Sequence, residues 1–131
     1  MKIFAIRNEE DENRKDLGYL IYYEKPRRFY IELPDDADPW ETPLILSSCL
    51  KRGEKTIGAY WSKVWVQQRI IPSDRQNLGR ILKDNGLDSY DEFKLLTMTD
   101  GRCSQDYYYI TAVSEKNLPD FIKKRNKKKT I

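Results

Sequence analysis

The chain has 131 residues, 39% of them apolar and 34% charged, with a formal net charge of +3. That length fits one domain able to bury a core without metal or disulfide staples, and nine Tyr, four Phe and three Trp argue against disorder in spite of the charge. Histidine is absent and Cys49 and Cys103 are the only cysteines, which excludes Ser-His and Cys-His nucleophiles, His-ligated metals and a cysteine-built zinc site. No metal or cofactor is expected, and no catalytic constellation.

In chain order, Lys2 to Arg7 alternates polar and apolar residues and predicts a strand. Asn8 to Asp16 is charged and aperiodic, a loop. Leu17 to Tyr23 and Phe29 to Leu33 are aromatic and β-branched, with Glu24-Lys25-Pro26-Arg27 between them as a turn: a β-hairpin. The loop PDDAD follows. A helix then starts either at Asp38, with Pro39 in its first turn, or at Thr42, with Pro43 as its first residue. Leu44, Ile45, Leu46, Cys49 and Leu50 form its apolar patch and Gly53 ends it; a strand through Leu44 to Leu46 is the competing reading.

Gly58 to Ile71 carries Trp61, Val64, Trp65 and Gln68 at a spacing that places both tryptophans on one helix face, stopped by Pro72. Ser73-Asp74-Arg75-Gln76 reads as a capping box before Leu78, Ile81 and Leu82, with Gly86 closing that helix. Ser89-Tyr90-Asp91-Glu92 reads as a second box before Phe93, Leu95, Leu96 and Met98, with Gly101 closing. Asp106 to Val113 predicts a strand, and Leu118 to Ile122 a last short helix. The sum is an α+β fold: a small antiparallel sheet or partial barrel packed with three to four short helices, one domain over 1–122 and a basic tail over 123–131.

The stretch from Leu17 to about Ile110 resembles the N-terminal subdomain of HipA-type serine/threonine kinases, the toxins of bacterial toxin–antitoxin modules. The resemblance lies in Leu17-Gly18-Tyr19-Leu20, Phe29-Tyr30-Ile31, the aromatic helix Trp61 to Ile70 running into Ile71, Pro72 and Arg75, the run Asp91-Glu92-Phe93-Lys94-Leu95-Leu96, and the loop Gly101-Arg102-Cys103-Ser104-Gln105-Asp106. It departs where the acidic residue after the proline moves to Asp74, where the Asp before the cysteine is missing, and where Gln105 replaces the loop's second glycine. The family's kinase core is absent from the chain. The resemblance implies a free-standing copy of that subdomain, an antitoxin-like regulator that docks on a truncated HipA-like kinase, and it carries over no catalytic residue.

Trp40, Trp61 and Trp65 are the candidate partner-binding residues, since tryptophan is common among interface hot spots. The plainer reading makes Trp61 and Trp65 core and leaves Trp40, near a loop, as the exposed anchor. Arg75, Asp91 and Asp106 form a charged set near the Gly101 loop, for which helix capping and ordinary pairing are the plainer account. Cys103 beside Arg102 reads either as a redox thiol or as a small buried residue after a turn. Six basic residues, Lys123, Lys124, Arg125, Lys127, Lys128 and Lys129, leave the rest of the chain mildly acidic. They support an alternative function, nucleic-acid binding through the tail; a solvated, frayed terminus is the plainer reading. The MKIFAIRNEE start has no signal-peptide apolar run and no segment approaches the ~20 apolar residues of a membrane span, so a cytoplasmic location and no membrane partner are expected.

Overall fold

Alternation of apolar residues decides the architecture. In a computed structural model describing residues 1–129, with side chains through 125, β1 (Lys2–Asn8), β2 (Gly18–Tyr23) and β3 (Arg28–Glu32) bury side chains on both faces. They form an antiparallel meander extended by β4 (Thr56–Ile57) beside β3 and by β5 (Tyr108–Ala112) beside β1, in the order β4-β3-β2-β1-β5. The register is set by pairs such as Ile3↔Ile21, Phe4↔Leu20 and Leu20↔Ile31, with Ile6↔Ile110 on the far edge. Because successive strand residues point to opposite faces, β1 sends Ile6 to one core and Ile3 and Ala5 to another.

The larger core lies under α1 (Leu44–Lys51), α2 (Ala59–Gln67) and α4 (Glu92–Met98). Leu46, Cys49, Trp65, Val66 and Leu96 from these helices close on Leu20, Phe29 and Ile31 of the sheet. Tyr22 stacks on Phe93 with ring centroids 4.3 Å apart. α3 (Leu78–Asp84) is peripheral and buries only Leu82. On the opposite sheet face α5 (Asp120–Lys129) places Ile122 against Ile3, Ala5, Tyr19 and Ile21. The chain is therefore a single α+β domain, an open five-stranded antiparallel sheet with helices on both faces. No helix among the described residues is long and apolar enough to cross a membrane.

Several local expectations give way to nearby chemistry. The 73–76 capping box does not form: α3 starts later, from Asn77 in the left-handed region at φ 63°, with no side-chain cap. The cap of α4 is Asp91 rather than Ser89, its carboxylate accepting from the Lys94 N–H at 3.1 Å. Pro43 sits at the N-cap of α1, one position before the helix instead of inside it. Basic residues 123–129 continue α5 rather than forming a separate tail by backbone. The side chains of Lys127, Lys128 and Lys129 fall outside the described residues.

Candidate functional site

Around α2 the buried positions are Ser62, Trp65, Val66 and Arg69, not the 61-64-65-68 stripe. The helix is rotated by about one residue, 100°, because two polar side chains earn core places through hydrogen bonds. The Ser62 hydroxyl donates to the Ile57 carbonyl at 3.1 Å. Arg69 donates to the Gly101 carbonyl, to both carboxylate oxygens of Asp106 and to the Tyr108 carbonyl at 3.1 Å. Its guanidinium also lies 4.5 Å from the Trp65 ring centroid. This rotation separates the two tryptophans: Trp65 is buried at 1% exposure and offers no surface to a partner, while Trp61 stands 41% exposed.

Arg69 is the clamp that fixes the 101–108 loop. Gly101 accepts its place there through a left-handed φ of 70°, and a Cβ at that position would come within 3.2 Å of the Ile110 side chain. Burial pushes the Asp106 carboxyl upward, but the Arg69 fork, the Tyr108 N–H and the Cys103 thiol outweigh it and hold the group below the usual carboxylate range.

Against this loop, the 39–45 segment and the end of α2 enclose a groove of about 600 Å³, a volume in the range of ligand-binding clefts. Its most exposed wall is Trp40, at 95%, with Leu44 at 83% beside the start of α1. Asp38 organises this wall. Its carboxylate accepts the Trp40 N–H at 2.9 Å, while its carbonyl accepts the Glu41 and Thr42 N–H groups and the Thr42 hydroxyl. The Tyr108 hydroxyl donates to the Glu41 carbonyl at 3.0 Å, tying the turn to β5. Trp40 is thus displayed from a fixed turn rather than from a loose loop. At the back, Trp65 belongs to the wall, and its Nε1 is the one buried side-chain nitrogen or oxygen among the described residues with no partner, an omission worth about 1–3 kcal/mol.

The structure disperses the charged set of the sequence. Arg75 is exposed on the turn before α3, Asp91 caps α4, and Asp106 pairs with Arg69 instead. Cys103 is half-buried, and its thiol faces Asp106 rather than a free cation, since Arg102 pairs with Glu9. Of the basic candidates, Lys123 and Lys124 are exposed. Arg125 is committed internally: it donates to Glu32 at 2.7 Å, to the Leu33 carbonyl and to Asp35. A phosphate would have to compete with those acceptors, which removes Arg125 from a ready nucleic-acid surface. No group of three or more potential metal ligands occurs among the described residues.

Sequence reasoning missed Leu44, Gln68 and Gln105 of the groove and the Arg69 clamp; the signal for the groove was the Pro-Trp-Glu-Thr-Pro run, with an aromatic between two prolines. Compared with protein-family models, curated proteins and solved structures, the chain matches none.

Proposed function

We propose that this chain is a non-catalytic, protein-binding regulator that docks through the groove face, and that its partner is a HipA-like kinase lacking its own N-terminal subdomain. The observation that carries the docking role is Trp40, 95% exposed yet held by a hydrogen-bonded turn beside the largely exposed Leu44. A large aromatic fixed in water costs solvation without adding to the core, and it is the kind of residue that dominates interface energetics. The kinase identity is supported by the motif order from Leu17 to Ile110. Co-expression of the tagged chain with such a kinase tests both. Capture of the kinase, lost in the double variant Trp40→Ala, Leu44→Glu but retained in Tyr107→Ala, is the expected result; no capture by the wild type removes the kinase reading.

Exposed Lys123 and Lys124 on α5 favour a second reading, in which the C-terminal helix contacts nucleic acid. Binding that weakens steeply with salt and disappears on deleting residues 123–131 is its signature. Binding that survives the deletion rules it out.

A further inference from the structure

The end of the β2–β3 hairpin carries a separate hollow of about 400 Å³, lined by Tyr23, Lys25, Pro26, Arg28 and Tyr30, a volume within the range of ligand clefts. Strand pairing puts its aromatic rings and Arg28 on one face. Tyr23 lies opposite Arg28 and Tyr30 opposite Ile21, and residues directly opposite in an antiparallel pair share a face. Ile21 belongs to the core beneath α5, and Tyr23 packs on that core, so the hollow opens on the α5 side of the sheet. The Tyr23 and Tyr30 rings meet edge to face, with centroids 5.7 Å and planes 79° apart; they do not close on each other as a parallel stack would. Lys25 and Arg28 are exposed, and among the described residues neither makes a salt bridge or a side-chain hydrogen bond. No carboxylate lines the hollow. The acids nearby in sequence are occupied: Glu24 pairs with Lys2 at 3.9 Å, and Glu32 and Asp35 are held by Arg125. Arg27 stands apart, beside Asp91 and Glu92. Ile122 of α5 packs on Ile21, which is two residues, roughly 7 Å, along the strand from Tyr23. The exposed Lys123 and Lys124 that follow it extend the positive charge of the hollow along the same side of the sheet.

We propose that this hollow is a base-stacking subsite for single-stranded nucleic acid, whose backbone runs on from Lys25 and Arg28 to the lysines of α5. The proposal rests on reading α5 as a nucleic-acid contact, and it names the strand form that is bound. Two features select it. Every nucleobase offers a flat face to an aromatic ring, and that face is within reach only when the base is not stacked in a duplex. The cations are spread along the surface rather than gathered at one point, which suits a chain of phosphates better than a single anionic group. The carboxylates of an acidic peptide would satisfy the cations and leave the rings unused.

The test uses the full chain with short fluorescein-labelled oligothymidylate and oligouridylate, followed by anisotropy across a salt series, and a labelled duplex of equal length beside them. At least one single strand should bind more tightly than the duplex; the tighter of the two tells DNA from RNA. Tyr23→Leu should weaken that binding about fivefold or more, and Tyr23→Phe should keep it. The double variant Lys25→Ala, Arg28→Ala changes only exposed side chains, so the urea midpoint should stay in place. Its slope of log affinity against log salt should be shallower by about 1.4, two phosphate contacts at about 0.7 each. A duplex bound as tightly as both single strands, or a double variant with the wild-type slope, overturns the proposal. So does displacement of the oligonucleotide by poly-glutamate or phosphatidylserine vesicles as effective as displacement by unlabelled oligonucleotide. If no nucleic acid binds, the α5 reading falls together with this one. Binding that is lost in Lys123→Gln, Lys124→Gln but is blind to Tyr23 and to strand form keeps the α5 reading and removes the subsite.

Discussion

Arg69 shows how one buried cation can organise a loop and the groove beside it. Its side chain is 1% exposed and Asp106's is 33% exposed, so the pair is screened on one side only. Replacing Arg69 by Met strands Asp106 and the carbonyls of Gly101 and Tyr108, and is expected to cost about 3 kcal/mol in urea unfolding. Arg69→Lys, which keeps the charge but loses the planar fork, should still cost about 2 kcal/mol. Because Asp106 titrates lower in the fold than in the unfolded chain, its contribution is complete above the unfolded value near 4 and disappears as pH falls through the folded value. The stability difference between wild type and Asp106→Asn should therefore be constant above about pH 5 and shrink below about pH 4; a difference independent of pH down to the acid transition would refute the pairing's electrostatic role. Trp40→Ala sits at the other extreme. With its side chain in water, it should change stability by less than about 0.5 kcal/mol while reducing partner capture. The exposure of Trp40 was legible because the sequence places it near a loop, outside the apolar patch that begins at Leu44. Arg69 was not, because an arginine at the end of a helical pattern reads as surface unless its partners, more than thirty residues downstream, are already in place.

At the level of elements, strands were easier to read than helix faces. β1, the β2–β3 hairpin and β5 follow from alternation and turn chemistry, which are local. The orientation of α2 does not, since Ser62 and Arg69 take buried positions that any apolar count assigns to solvent. Capping patterns also mislead when a neighbour competes: Pro72 accepts the Arg75 N–H in a turn that takes Ser73 and Asp74 out of helical geometry. The C-terminal helix is the clearest case of long-range control. Its basic composition predicts a solvated end, yet Ile122 is fully buried and Arg125 reaches Glu32, whose carboxylate is buried and also accepts the Thr56 hydroxyl at 2.7 Å. Ile122→Ala should cost about 3 kcal/mol through transfer and cavity terms. Arg125→Ala should cost about 2 kcal/mol, because it removes the cation beside a buried carboxylate. Both are measurable by urea titration. A loss below about 0.5 kcal/mol for both would mean that α5 does not cover the sheet in solution.

The whole molecule is one sheet between two unequal cores, and that arrangement sets how it should unfold. β1 and β2 contribute to both: Ile6 and Leu20 face α1, α2 and α4, while Ile3, Ala5, Tyr19 and Ile21 face α5. Neither core can lose its strands without opening the other, so the chain should behave as a single cooperative unit. Trp65 reports on the larger core and is the buried tryptophan, whereas Trp40 is in water in either state. The change in tryptophan fluorescence on unfolding is therefore weighted towards the face opposite α5. If the layers are coupled through the sheet, Ile122→Ala should lower the fluorescence midpoint and the far-ultraviolet circular dichroism midpoint together, although residue 122 packs on the other side. A variant whose dichroism falls early while its fluorescence midpoint stays at the wild-type value would show α5 leaving as an independent unit. In that event the smaller face, with Ile3, Ala5 and Ile21 uncovered, would become a second apolar surface available to a partner.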